Sequence, residues 1–179
     1  MPEVHLAAHP ASRHAAVRGI TVVVERASAD RLTLAYTIGA DPGQIRIPER
    51  RAPRIGQQLW KHTCCECFIA AKGQSAYHEY NFSPSREWAV YAFSNYREGA
   101  PVVDEALDPG IEVRRLADRL ELAASIALQP LRARCGDGPL AIGLSAMIED
   151  AHGRLSYWAL RHPAGQPDFH HRDSFTLEL

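Results

Sequence analysis

Residues 19–38 read GITVVVERASADRLTLAYTI. β-Branched residues crowd both ends of this stretch, and Asp30 lies near a turn between them, so it predicts a β-hairpin. Residues 119–128 carry the same message more cleanly. Leu120, Leu122, Ala124, Ile126 and Leu128 alternate with Arg119, Glu121 and Ser125, the period of a strand with one buried and one wet face. Further strands are expected at 59–71, 76–82, 88–93, 111–115, 140–149, 155–161 and 175–179, with a short one at 44–47. Turn chemistry sits at Ser83-Pro84-Ser85-Arg86 and at 150–153, and 95–110 reads as a long polar loop. The helix-like exception is 129–135, a single turn. Ten or so short strands predict an all-β, single-domain chain over 1–179, an antiparallel β-sandwich of jelly-roll type. The alternative is an α+β domain in which 10–18 forms a helix.

Composition narrows the function classes. The 179 residues are 46% hydrophobic and 23% charged, which suits one globular domain rather than a disordered chain. The formal net charge is −1, which argues against a nucleic-acid binder or an anionic-membrane binder. No apolar run approaches the roughly 18 residues of a membrane span. His5, His9, Pro10, Arg13, His14 and Arg18 interrupt the N-terminus, so a secretory leader is not expected and the location reads as cytoplasmic. Cys64, Cys65 and Cys67 lie together and Cys135 far away, a pattern of reduced packing thiols rather than a disulfide framework or a zinc knuckle.

Chemistry concentrates in residues 60–68, WKHTCCECF. On a continuous strand Trp60, His62, Cys64, Glu66 and Phe68 share one face, and Lys61, Thr63, Cys65, Cys67 and Ile69 the other. Glu66 then stands among apolar and aromatic neighbours. It is either a hydrogen-bonding group on a ligand face or a structural carboxylate fixed by an arginine such as Arg97 or Arg161. His162, His170 and His171 gather near Asp168 in a loop that reads as a solvated rim more readily than a metal site. Trp60, Trp88 and Trp158, with Tyr77, Tyr80, Tyr91 and Tyr157, supply either core or a platform on which a sugar ring can stack. Acidic pairs such as Glu66 with Glu79 or Glu149 exist. No hydrolase, phosphate-loop, metalloprotease or dinucleotide motif accompanies them.

The strings LWKHTCCECFIA, YHEYNFSPSREWAVYAF, GLSAMIE and YWALRHPAGQPDFH together resemble the bacterial DOMON-like proteins, which are grouped with the family 9 carbohydrate-binding modules. That resemblance implies a jelly-roll-like sandwich that binds a small carbohydrate or sugar-containing metabolite without catalysis. It assigns Trp60 and Trp158 as stacking rings, and Glu66 and Asn81 as hydrogen-bonding groups. Thr63 stands where the family pattern has an Asp. Other DOMON relatives bind haem through a Met and a His, and Met147 is the internal methionine here. The alternatives to sugar binding are therefore a haem-binding module, an enzyme using Glu66 as acid or base on a sugar-like substrate, and a pure interaction module. No other cofactor and no metal are expected, and the edge strands of a sandwich would suit a homodimer.

Overall fold

The alternation in 19–38 and 119–128 becomes three adjacent strands. The computed structural model describes residues 2–12, 16–131 and 138–179. In it β2 (Val17–Ser28) and β3 (Arg31–Ala40) form the expected hairpin, and β10 (Arg119–Ala127) pairs with β3. Ser28 pairs with Arg31 around a two-residue turn, and Ser28 Oγ accepts a bond from Asp30 N at 3.2 Å. Every second residue is buried: Leu32, Leu34, Tyr36 and Ile38 on β3, and Leu120, Leu122, Ala124 and Ile126 on β10. Each buried leucine or isoleucine among them contributes about 1.5–3 kcal/mol by leaving water.

The remaining strands are β1 (Glu3–Ala8), β4 (Arg54–Ile55), β5 (Cys64–Ala71), β6 (Tyr77–Phe82), β7 (Glu87–Asn95), β8 (Glu98–Pro101), β9 (Glu112–Arg115), β11 (Leu140–Glu149), β12 (Leu155–Ala159) and β13 (Leu177–Glu178). The order is β4-β7-β6-β5-β11-β12-β1-β2-β3-β10-β9, with β8 on β7 and β13 on β11. Every pairing is antiparallel except β4 with β7. The hydrogen bonding runs continuously through β1, which pairs with β2 on one side and β12 on the other. The described strands therefore make one curled sheet, rather than two separately bonded ones.

Curling encloses a common core to which both halves of the sheet contribute. Val22, Tyr36 and Leu122 from one half join Cys65, Cys67, Phe82, Trp88, Leu144 and Trp158 from the other. Tyr36 Oη crosses that core to donate to the main-chain oxygen of Glu66 at 2.7 Å. The half containing β5, β6 and β11 is buried on both faces. Its second face is covered from the C-terminal side, where Phe175 packs on Phe68 and Tyr77 with Phe169 nearby. Gly143 makes room for this cover, since a Cβ there would meet Phe175 Cδ1 at 2.9 Å.

Several sequence expectations shift. The strand expected over 59–71 begins only at Cys64; Leu59–Lys61 is a 3-10 turn entered through Gln58 in the left-handed conformation, φ 54. The short strand at 44–47 reduces to a single bridge between Ile45 and Asp150. The polar loop 95–110 contains β8 and a 3-10 turn at Glu105–Leu107, capped by the Asp104 side chain. Residues 132–135 of the expected helical turn, and 13–15 of the alternative helix, lie outside the described residues. No described helix is long and apolar enough to cross a membrane.

Candidate functional site

Strand register places the chemistry. β5 pairs Glu66 with Asn81 and Phe68 with Glu79, and β6 pairs Glu79 with Tyr91 and Tyr77 with Phe93. β11 pairs Ser145 with Glu66, and Met147 faces Tyr157 of β12. All these residues therefore share the face turned away from the common core. Between that face and the C-terminal cover lies a pocket of about 440 Å³. Glu66, Phe68 and Glu79 line it together with Trp60, Tyr91, Met147, Tyr157, Phe169 and His170, and Lys61 and Arg97 stand at its exposed margin.

Two carboxyls dominate its electrostatics. Glu66 is 3% exposed, and Ser145 Oγ donates to its Oε2 at 2.8 Å. Neither Arg97 nor Arg161 forms an ion pair with it; Arg97 instead pairs with Asp168 at 2.9 Å. Burial pushes the Glu66 carboxyl well above the usual range, the charge of Glu79 adds to this, and the Ser145 bond opposes it. Glu79 is 5% exposed and accepts from Asn81 Nδ2 at 2.7 Å. Burial raises Glu79 to about 7, against the Asn81 bond and the Arg97 charge. A proton thus resides on this floor near neutral pH, in a form able to donate as well as accept.

His170 flanks the pair. Arg97 N donates to Tyr77 Oη at 3.1 Å, and Tyr77 Oη meets His170 Nδ1 at 2.9 Å. The Tyr77 hydroxyl and Nδ1 thus share a hydrogen bond, and Nε2 stands 3.6 Å from Glu79 Oε2. Burial and the Arg97 charge hold the His170 imidazole down to about 4. Asp168 ties the rim together: it accepts from Arg97 Nη2 at 2.9 Å, Tyr96 Oη at 2.6 Å and His170 N at 3.1 Å. This clamp offsets the cost, about 1–2 kcal/mol, of the left-handed backbone at Arg97.

The sequence-predicted residues divide. Trp60 and Glu66 meet at the pocket although they do not share a strand, because the 3-10 turn carries Trp60 to the rim. There it is 39% exposed and edge-on to Tyr91 at 5.7 Å. Asn81 is fully buried behind Glu79 and bonds it. Trp158 is 8% exposed in the common core, where Nε1 donates to Ser156 Oγ; its neighbour Tyr157 faces the pocket. Thr63 is buried, donates to Arg46 O and accepts from Glu149 N. Tyr91 belongs to the aromatic set that the sequence offered as core or platform, whereas Phe169 and the role of His170 were not singled out from sequence. For Tyr157 the parity of β12 was the available signal.

The fold has solved counterparts. A Bacteroides uniformis protein to which carbohydrate binding is ascribed superposes with a TM-score of 0.73 at 10% identity, over 98% of this chain and 84% of that one. A family 9 carbohydrate-binding module of Caldicellulosiruptor kristjanssonii, solved with cellotriose, gives 0.50 at 11% identity, over 90% of this chain and 75% of its own. The chain is similar in fold to both. No family model matches the sequence, and neither does any curated protein.

Two other ligand classes can be tested against the residues. Among the described residues, no group of three or more His, Cys, Asp or Glu side chains could hold a metal ion. Met147 and His170 both line the pocket, the residue types that haem ligation would use. Of the His170 ring nitrogens, Nδ1 is hydrogen-bonded to Tyr77 Oη, while Nε2 stands 3.6 Å from Glu79 Oε2.

Proposed function

We propose that this protein is a non-catalytic carbohydrate-binding module of the DOMON-like and family 9 type, and that its ligand enters the pocket between Trp60 and the C-terminal cover. The observation that carries this is an exposed tryptophan at the mouth of a pocket whose floor holds two carboxyls. A sugar ring has an apolar face that stacks on an indole and hydroxyls that need acceptors in plane. Trp60, with Tyr91 or Tyr157, supplies the first, and Glu66 and Glu79 the second. A volume of about 440 Å³ lies in the range of small-molecule sites. The carbohydrate binding ascribed to one fold neighbour and the cellotriose bound by the other support this reading.

The test is a thermal-shift and calorimetric screen of glucose, cellobiose, amino sugars and sugar nucleotides. A ligand at 100 times its Kd adds about 2.7 kcal/mol and raises Tm by several degrees. A shift in the native protein that Trp60→Ala removes supports the assignment; no shift with any sugar overturns it.

A second reading draws on the raised carboxyls. An enzyme in which Glu66 acts as acid or base on a sugar-like substrate needs groups that exchange protons near neutrality, and Glu79 at about 7 meets that need. It requires turnover of an aryl glycoside that Glu66→Gln abolishes while binding persists.

A further inference from the structure

We propose that the sugar recognised by this pocket carries a protonated amine, seated against Glu66 and Glu79 and beneath the ring of Trp60. This deepens the carbohydrate-binding reading and rests on it. Glu66 and Glu79 are one diagonal step apart on adjacent strands, and both are at least nine-tenths buried. Their close hydrogen-bond partners are neutral: the Ser145 hydroxyl and the Asn81 amide. No arginine or lysine around the pocket forms an ion pair with them, and Arg97 acts on Glu79 only through its more distant charge. The Arg97 guanidinium is engaged by Asp168 and Tyr96 Oη. Lys61 stands at the exposed margin. His170 is held neutral, and Cys64, Tyr77 and Tyr91 are kept protonated by burial.

A neutral sugar bonds these carboxyls through its hydroxyls but cannot favour the ionised form of either. An ammonium group can. It brings one positive charge and three donors to two carboxyls that line the cavity. Aromatic faces add to the attraction for a cation, and Trp60, Tyr91, Tyr157 and Phe169 supply rings around the same space. Aromatic walls over a floor of acids suit a hexosamine better than a plain hexose. Binding is then linked to protons: the ammonium pairs with a carboxylate, and the displaced carboxyl proton leaves to solvent.

The experiment is calorimetry at pH 7.0 with glucosamine, glucose and N-acetylglucosamine, run in two buffers of different ionisation enthalpy. The expected result is an affinity for glucosamine at least about tenfold above the other two, the equivalent of one pKa unit, with net proton release seen for glucosamine alone. Glu66→Gln and Glu79→Gln, each near-isosteric, should both bring the glucosamine-to-glucose ratio toward one. Equal affinities, or tighter binding of the N-acetyl sugar, overturn the amine assignment and leave the sugar-binding reading standing. Failure of all three sugars, and of the broader screen, overturns both.

Discussion

Glu66 and Glu79 project from neighbouring strands onto one face, a single diagonal step apart, and the charge of Glu79 helps burial hold the Glu66 carboxyl protonated. Antiparallel pairing produces this relationship, since it sets Glu66 opposite Asn81 and Phe68 opposite Glu79. Asn81 then bonds the carboxyl two residues away on its own strand.

The pair and His170 shape stability against pH in opposite senses. Between 4.5 and about 7 the folded chain keeps the Glu79 proton that the unfolded chain releases. Its contribution is therefore full below 4.5 and lost as pH rises through 7, about 3 kcal/mol in all, and Glu66 acts in the same direction. His170 is neutral when folded down to about 4 but charges below 6.5 when unfolded, so its contribution is lost as pH falls from 6.5 to 4. Urea melts from pH 4.5 to 7.5 should show Glu79→Gln stabilised at the upper end and flattened in slope. His170→Gln should instead show a steeper fall with rising pH. Unchanged profiles in both variants would sink this account.

Trp60→Ala should leave the fold intact, because the indole is 39% exposed and outside the common core. Sugar affinity should drop by tenfold or more, in line with stacking worth about 1–3 kcal/mol. A binding titration beside a thermal melt separates the two effects. Unfolding of the variant would show Trp60 to be structural.

Trp158→Ala should behave oppositely. Its ring is 8% exposed among the core residues and its indole nitrogen bonds Ser156. Truncation leaves a large cavity and should cost about 3–5 kcal/mol in a urea melt. Tyr157→Ala, one residue away on the pocket face, should lower sugar affinity with a smaller loss of stability.

Gly143→Ala probes the cover. The added methyl would sit 2.9 Å from Phe175 Cδ1, so Phe175 must move off the sheet. Overpacking of this kind costs about 1–3 kcal/mol. Because Phe175 packs with Phe68, which lines the pocket, ligand affinity should fall as well. Wild-type stability and affinity together in this variant would show that the cover is not seated on Gly143.

What could be read from the chain follows burial on one face only. Residues 31–38 and 119–128 alternate because one side of β3 and β10 stays partly wet, and that alternation is written in consecutive residues. The turns at Ser83–Arg86 and 150–153 were equally legible, since Arg86 N bonds Ser83 O and Asp150 Oδ1 caps the turn that Gly153 completes. β5 shows no such signal: both its faces are buried, so CCECFIAA has no polar side to mark its start. β1, with only Leu6 buried, was missed although it joins the two halves of the sheet.

Local patterning along the chain specified a β-rich protein, its principal hairpins, and an unusual carboxylate at Glu66 beside an aromatic-rich segment. Long-range packing set Glu79 in the same pocket, carried Trp60 to the rim through a turn at Gln58, and sent Trp158 to the core while Tyr157 faces the cavity. The physical reason is range. Alternation is a property of neighbours along the chain, whereas the pocket is closed by Phe169 and His170 lying over β5 and β6, roughly a hundred residues away in sequence. Register and cover fix which side chains meet there, and no local pattern encodes either.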